Sequence, residues 1–359
     1  RDYVRSVIGV EGYNFLHDMS RFRADFEYPL DTRGYLDYLD EETDVCCTPS
    51  YPIGGMTAFV RGMEKQAAAV GVRIWKSTRV TEIRSDRDGY LVIAGEHVVK
   101  SNRLVIAVSP YWLGYIAGDV AERIRAQPQL QQIVGVRVVT MAQWFPQPWW
   151  APIKDPTKTS KNRVWRAWTT DDCINSLEIP LEPYSAAQNV MRSVYDDDIR
   201  CVQLWEELAR AGTKAVETEA LRGLNYLFND NGVADPSTVA IPTPLKTQMQ
   251  VWPDAWHFLG AGSAFTNADI YNWAVEPLPG EQVALVGEAV NPQRSGWSDA
   301  AYKSSLNLLN KKYGLILPDT PRQLSGTSGT SLARSSSLST RAAAAPPAGE
   351  RLGEQAGGP

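Results

Sequence analysis

Glu288 is the residue whose setting most suggests chemistry. It follows an apolar run, Val283-Ala284-Leu285-Val286, and then Gly287. The run predicts a strand, so the carboxylate stands at a strand's end. A short loop leads to Gly296-Trp297-Ser298-Asp299 and a predicted helix to about Lys312. A helix start leaves N–H groups unpaired and carries partial positive charge, which favours anionic groups. A strand-end carboxylate can accept hydrogen bonds from sugar hydroxyls. Together these features fit a cofactor site, and a plain strand-to-helix turn fits the same residues.

Other chemistry finds less material. The one G-x-G is Gly260-Ala261-Gly262, with Phe265 at the third glycine position and no strand–turn–helix unit around it. It therefore reads as a loop. The three histidines, His17, His97 and His257, are far apart, and no H-x-x-x-H or G-x-S-x-G occurs, so no metal site is expected. His257, beside Trp256 in what reads as an aromatic loop, is the histidine to watch. A hydrogen-bonded loop histidine is its plainer reading.

The elements that must position these residues follow from periodicity. Met56, Phe59, Val60, Met63, Ala67 and Val70 share one face of a predicted helix, read as a core face, with Gly71 as its stop. Short strands are predicted at 72–75, 80–83, 90–93 and 97–99, with hairpin turns at 86–89 and Gly95-Glu96. Residues 104–108, ended by Ser109-Pro110, read as a strand buried on both faces. Residues 111–133 look helical, 134–144 form a long β-branched strand, and 151–198 are loop-rich. Asp196-Asp197-Asp198 can cap a helix through Arg210, and 220–228 suggest another. In the last helix Ala301, Ser304, Ser305 and Leu308 make a small-residue face that admits a flat group or another backbone. The alternation implies an α/β (α+β) fold.

Composition narrows the class. The chain has 359 residues, with 36 basic against 41 acidic side chains and a net charge of −5. No basic block appears, so nucleic acid is not an expected partner. The longest apolar stretch, 104–117, is broken at Ser109-Pro110 and too short to span a bilayer. Four cysteines without a C-x-x-C pair are not a disulfide framework and point weakly to a reducing compartment. From about Pro318 onward Ser, Ala, Gly and Pro dominate, which predicts a disordered tail over 318–359. The chain opens at Arg1 without a signal-like stretch, which suggests a fragment or a processed product.

Four segments, in order, resemble the flavin-containing amine oxidase family, which includes monoamine, polyamine and L-amino-acid oxidases. VALVGEAVNPQRSGWSDAAYKSSLNLLNKKYG is similar to its C-terminal flavin-binding segment. SYPIGGMTAFVRGMEKQAAAVGVRIWKSTRVTEI is similar to its G-G-M helix and following strand, RLVIAVSPYWL to its strand ending in A-x-P-P, and PWW at 148–150 to a fourth motif. They cover most of residues 50–313.

The resemblance implies FAD as cofactor. Val80 would meet the adenine end through its backbone, and Glu288 the ribityl or pyrophosphate part. Gly296, Trp297, Ser298, Asp299, Ala300 and Ala301 would line the flavin. Trp297 would also wall the substrate amine, with Trp256 or His257 opposite, and these three are the catalytic candidates. The implied layout is an FAD-binding domain of the amine oxidase type with an interleaved substrate domain of mixed sheet and helices. Residues 1–50 and 111–275 would belong to the substrate side, 51–110 and 276–317 to the FAD side.

Two departures matter. The family's first unit, strand–G-x-G-x-x-G–helix, is not in this sequence, so the FAD domain is expected to be incomplete at its N-terminus. Counting back from Pro148 to the position of a frequent family lysine gives Thr140, which leaves the electron acceptor, oxygen or another, open. The implied activity is oxidation of the C–N bond of an amine or L-amino acid by hydride transfer to flavin. A flavin-dependent desaturase or isomerase of a lipophilic substrate is the alternative, as is a catalytically incompetent binding module. The expected partner is a small amine or amino acid, and a homodimer is open.

Overall fold

A computed structural model describes residues 2–36, 55–153, 166–169, 173–179, 189–230, 239–291 and 297–315. Gly296, Cys46-Cys47 and the expected tail lie outside these residues.

The largest sheet is built on two long strands. β5 (Ile133–Trp144) pairs antiparallel with β9 (Lys246–Leu259) on one side and β8 (Val190–Asp196) on the other. β7 (Ser176–Glu178) and β6 (Arg166–Trp168) extend it, giving the order β6-β7-β8-β5-β9. β5 is rich in β-branched residues and central, so both its faces are covered. Val139 and Met141 face one core with Trp149, Trp150 and Phe228. Val136 and Val138 face another with Tyr195, Trp256 and Phe258. Trp149-Trp150 are therefore core residues of this lobe.

β9 corrects the sequence reading, in which Trp256-His257 lay in a loop. Pro253 cannot donate to a ladder. The strand absorbs it in an irregularity, where the pairing with β5 shifts between Val136↔Trp256 and Val138↔Trp252. The extra residues, Pro253, Asp254 and Ala255, bulge opposite Arg137.

Helices α7 (Ile199–Ala211) and α8 (Thr213–Asn225) cover the first core. Asp198 caps α7 as its residue type predicts, accepting from the Arg200 and Cys201 backbone N–H groups. A disulfide joins Cys173 to Cys201. The sequence reading did not foresee it, because a 28-residue separation without a motif carries no signal.

A second core gathers the remaining elements. The hairpin strands β1 (Glu82–Asp86), β2 (Gly89–Ala94) and β3 (His97–Ser101) form an antiparallel sheet with both predicted turns. β4 (Leu104–Ile106) pairs parallel with β10 (Val283–Leu285). Ile83, Tyr90, Ile106, Val283 and Leu285 pack here with Val120, Ile124 and Ile270. Those last three come from α5 (Asp119–Arg125) and α9 (Asn267–Trp273). α4 (Pro110–Leu113) and α6 (Pro128–Gln131) flank α5, so the helical stretch after β4 is three short helices.

Three apolar segments depart from expectation. α3 (Thr57–Ala69) forms where predicted, but none of its residues is buried, and Phe59, Val60 and Met63 are exposed. Residues 72–75 form no strand, and Val72, Ile74 and Trp75 are exposed. Val105 of β4 is also exposed, so that strand is not covered on both faces. Amphipathic periodicity reports which face is apolar, not whether a neighbour covers it. At the N-terminus α1 (Asp2–Met19) bends at Gly9, and α2 (Ala24–Glu27) inserts Ala24 beneath Val136 and Val138. α10 (Ser298–Tyr313) closes the described chain. Among the described residues no helix is long and apolar enough to cross a membrane.

Candidate functional site

β4 and β10 run parallel, so both end at one edge, the position where open parallel sheets take their ligands. After β10 comes Gly287 and a 3₁₀ turn, Glu288–Val290. After β4 come Ser109 and α4. Gly287 has φ +136°, and a Cβ added there would meet nothing within 4 Å, so the backbone faces open space. Its N–H donates to Ser304 Oγ at 2.8 Å. The small-residue face of α10 thus admits a backbone, as its composition suggested. Ser109 Oγ is buried and has no hydrogen-bond partner.

Glu288 points at β9. Its Oε1 accepts the His257 backbone N–H at 3.0 Å, and Oε2 lies 2.7 Å from His257 Nδ1. Asp254 Oδ2 lies 3.1 Å from His257 Nε2 and also accepts the Tyr111 N–H at 3.1 Å. Burial alone would lower the imidazole pKa. The two carboxylates outweigh it and raise it to about 9. His257 is 2% exposed and saturated on both ring nitrogens.

Trp256 points to the opposite face, as neighbours on a strand must. It is buried against Phe22 at 5.6 Å and stacks parallel to Tyr195 at 6.4 Å. The structure therefore brings Glu288 and His257 together and turns Trp256 away from them. Trp297 is half exposed at the N-cap of α10, with no side-chain cap on that helix. Ser298 and Asp299 are exposed, Ala300 is buried and Ala301 is half-buried. Asp299 pairs with Lys303 at 3.1 Å. Val80 packs at the margin of the second core. Thr140 Oγ1 accepts from Trp252 Nε1 at 3.1 Å.

Asp254, Tyr111 and Ser109 were missed in the sequence. A carboxylate after a proline gave no periodic signal, the contacts of Asp254 and Tyr111 depend on tertiary register, and the burial of the Ser109 hydroxyl depends on packing. Elsewhere, an open hollow of about 430 Å³ is lined by Ser85, Asp119, Arg123 and Glu281. Arg123 there is already paired with both carboxylates. His17, Glu27 and Asp198 lie within metal-binding distance of one another. Asp198 is already committed to capping α7, and Glu27 Oε2 to the Ile199 N–H.

The residues present fit the diphosphate and sugar parts of a flavin dinucleotide on three counts. They are a half-buried glycine with open space where a Cβ would stand, an orphaned buried hydroxyl shortly after the adjoining strand, and an N-terminus of α10 whose N-cap residue makes no side-chain cap. No curated protein matches the chain. Among solved structures it is similar to a putrescine oxidase determined with putrescine bound. The identity is 14% over 71% of this chain, with a TM-score of 0.47. The chain spans about half, 51%, of that protein's length. The family model for flavin containing amine oxidoreductases matches residues 14–307, and the chain belongs to that family.

Proposed function

We propose that the protein is part of an FAD-dependent oxidoreductase that oxidises the C–N bond of an amine or an L-amino acid. The observation that carries this reading is the placement of Gly287 and Glu288 after β10 and of Ser109 after β4, the two parallel strands ending at one edge, within the span matched to the family. FAD, when bound, supplies the hydride acceptor. Gly287 offers an uncovered backbone for close approach. Glu288 is assigned to the ribityl or pyrophosphate part, as a carboxylate that accepts hydrogen bonds. The start of α10, with Trp297, Ser298, Asp299, Ala300 and Ala301 and the adjoining Gly296, favours negative charge through the positive end of the helix dipole. Val80 is assigned to the adenine end, and Trp297, half exposed, to the wall facing the amine. Residues 51–110 and 276–317 are assigned to the cofactor side, and 1–50 and 111–275 to the substrate side.

The test is titration of the purified protein with FAD. Saturable quenching of flavin fluorescence is expected, followed by anaerobic bleaching of the flavin band when an amine is added. Absence of any saturable change would sink the reading.

A second reading, a flavin-dependent desaturase or isomerase of a lipophilic substrate, is favoured by Thr140. Its hydroxyl is held by Trp252, and no cation stands at that position. Peroxide release with an amine substrate decides against it.

A further inference from the structure

One side chain links the segments that follow the two parallel strands, one directly and one through His257. Asp254 Oδ2 holds the Tyr111 N–H in α4, the helix after β4. It also faces His257 Nε2, whose opposite nitrogen faces Glu288 in the turn after β10. A neutral imidazole has one donor and one acceptor nitrogen. Here each nitrogen faces a carboxylate oxygen, an acceptor without a proton, so the geometry selects a ring protonated on both.

We propose that Asp254 is a positioning residue that keeps His257 a double donor and thereby pins the Glu288 carboxylate at the strand-end turn where the cofactor is assigned. The role toward FAD rests on the function proposed above; the clamp itself does not. Without Asp254, a neutral His257 could still donate to the Glu288 carboxylate, but without the attraction between a positively charged ring and that carboxylate. A pair in which both partners are ionised holds the carboxylate more strongly than one in which only the acceptor is. The bulge in β9 that carries Asp254 is then a device for reaching both segments from one strand, since a regular strand would not offer the extra residue.

The groups facing the ring are few. β9 supplies Asp254, and the turn after β10 supplies Glu288. β5 places Gly135 opposite His257, with Arg137 two residues on, its guanidinium paired to Glu206. α4 supplies Tyr111, whose hydroxyl bonds Tyr115 at 2.9 Å. Loss of the ring proton is therefore governed by the two carboxylates. It is expected near pH 9, where the pKa of the imidazole is raised to about 9 by that pair against burial.

Asp254→Asn keeps the shape and an acceptor oxygen and removes the charge. The protein has three histidines, so imidazole NMR can follow His257 against His17 and His97. The His257 titration is expected to fall by about one pH unit or more in the variant, and also in Glu288→Gln. FAD affinity of the wild type is expected to drop as pH rises through about 9. In Asp254→Asn that drop moves down together with the His257 titration, and affinity at neutral pH falls about tenfold. An unmoved His257 titration in a folded Asp254→Asn protein overturns the clamp. A moved titration with an unmoved FAD profile overturns the positioning role. If the wild type binds no FAD, the proposed function fails, and the NMR titrations still decide the clamp.

Discussion

A methyl group on Gly135 would stand 2.6 Å from the Asp254 Cβ and 3.5 Å from the His257 ring. The clashing partner is the root of a side chain, not a flexible end, so β5 or the bulge would have to move. Overpacking of this kind costs about 1–3 kcal/mol. Gly135→Ala is expected to lose that much in urea unfolding, and a change below about 0.5 kcal/mol would show that the bulge has slack. At this scale the sequence was half legible. Glu288 stood out because a carboxylate after a strand and a glycine is a local pattern. Its partner His257 lies 31 residues away, and only the register of β9 joins them. Asp254 had no local signal at all.

Elements separate what periodicity can and cannot say. α3 and α8 both carry an apolar stripe. Leu224 of α8 is fully buried beside Ala220 and Phe228, while Met63 of α3 is 62% exposed. Leu224→Ala is expected to cost about 2–5 kcal/mol, and Met63→Ala less than about 0.5 kcal/mol. Equal losses in thermal or urea unfolding would mean that α3 is covered after all. The hairpins β1–β2–β3, the strand β5 and the capped helix α7 were legible, because each is specified by its own turn, run or cap. β9 was not, because Pro253 and Asp254 interrupt its pattern. Residues 72–75 had the pattern of a strand but no partner strand among the described residues, and a strand without a partner has nowhere to place its backbone hydrogen bonds.

Across the whole molecule the buried charge is unevenly matched. Asp25 of α2 is half-buried, and Asp196 and Asp197 at the end of β8 are inaccessible, with Arg23 as a close cation. Arg23 stands 3.7 Å from Asp196 and gives a hydrogen bond to the Thr169 carbonyl. Asp25 Oδ1, Asp196 Oδ2 and Asp197 Oδ2 have no hydrogen-bond partner. Desolvation pushes Asp25 and Asp196 up to about 7, and Asp197 well above its ordinary value. A carboxyl raised from about 4 in the unfolded chain stabilises the fold fully below that value. That contribution drains away as pH rises to the folded value of about 7. His257 acts in the next window. Its contribution is complete below about 6.5 and is lost as pH rises through about 9. Asp198 runs the other way. Its bonds from Arg200 and the α7 backbone outweigh burial and lower its pKa, so its contribution is lost only in strong acid. The three windows together place maximum stability in mild acid, with a fall from about pH 5 to pH 9. Urea unfolding across that range should show a falling midpoint. Asp197→Asn keeps an acceptor for the Ala24 N–H, which the aspartate now accepts at 3.2 Å, and cannot ionise. It should flatten the fall between pH 5 and 7 and leave the later, His257-linked fall in place. Stability that is level or rising from pH 5 to 8 in the wild type would mean that these carboxylates reach water or a counter-charge in the native protein.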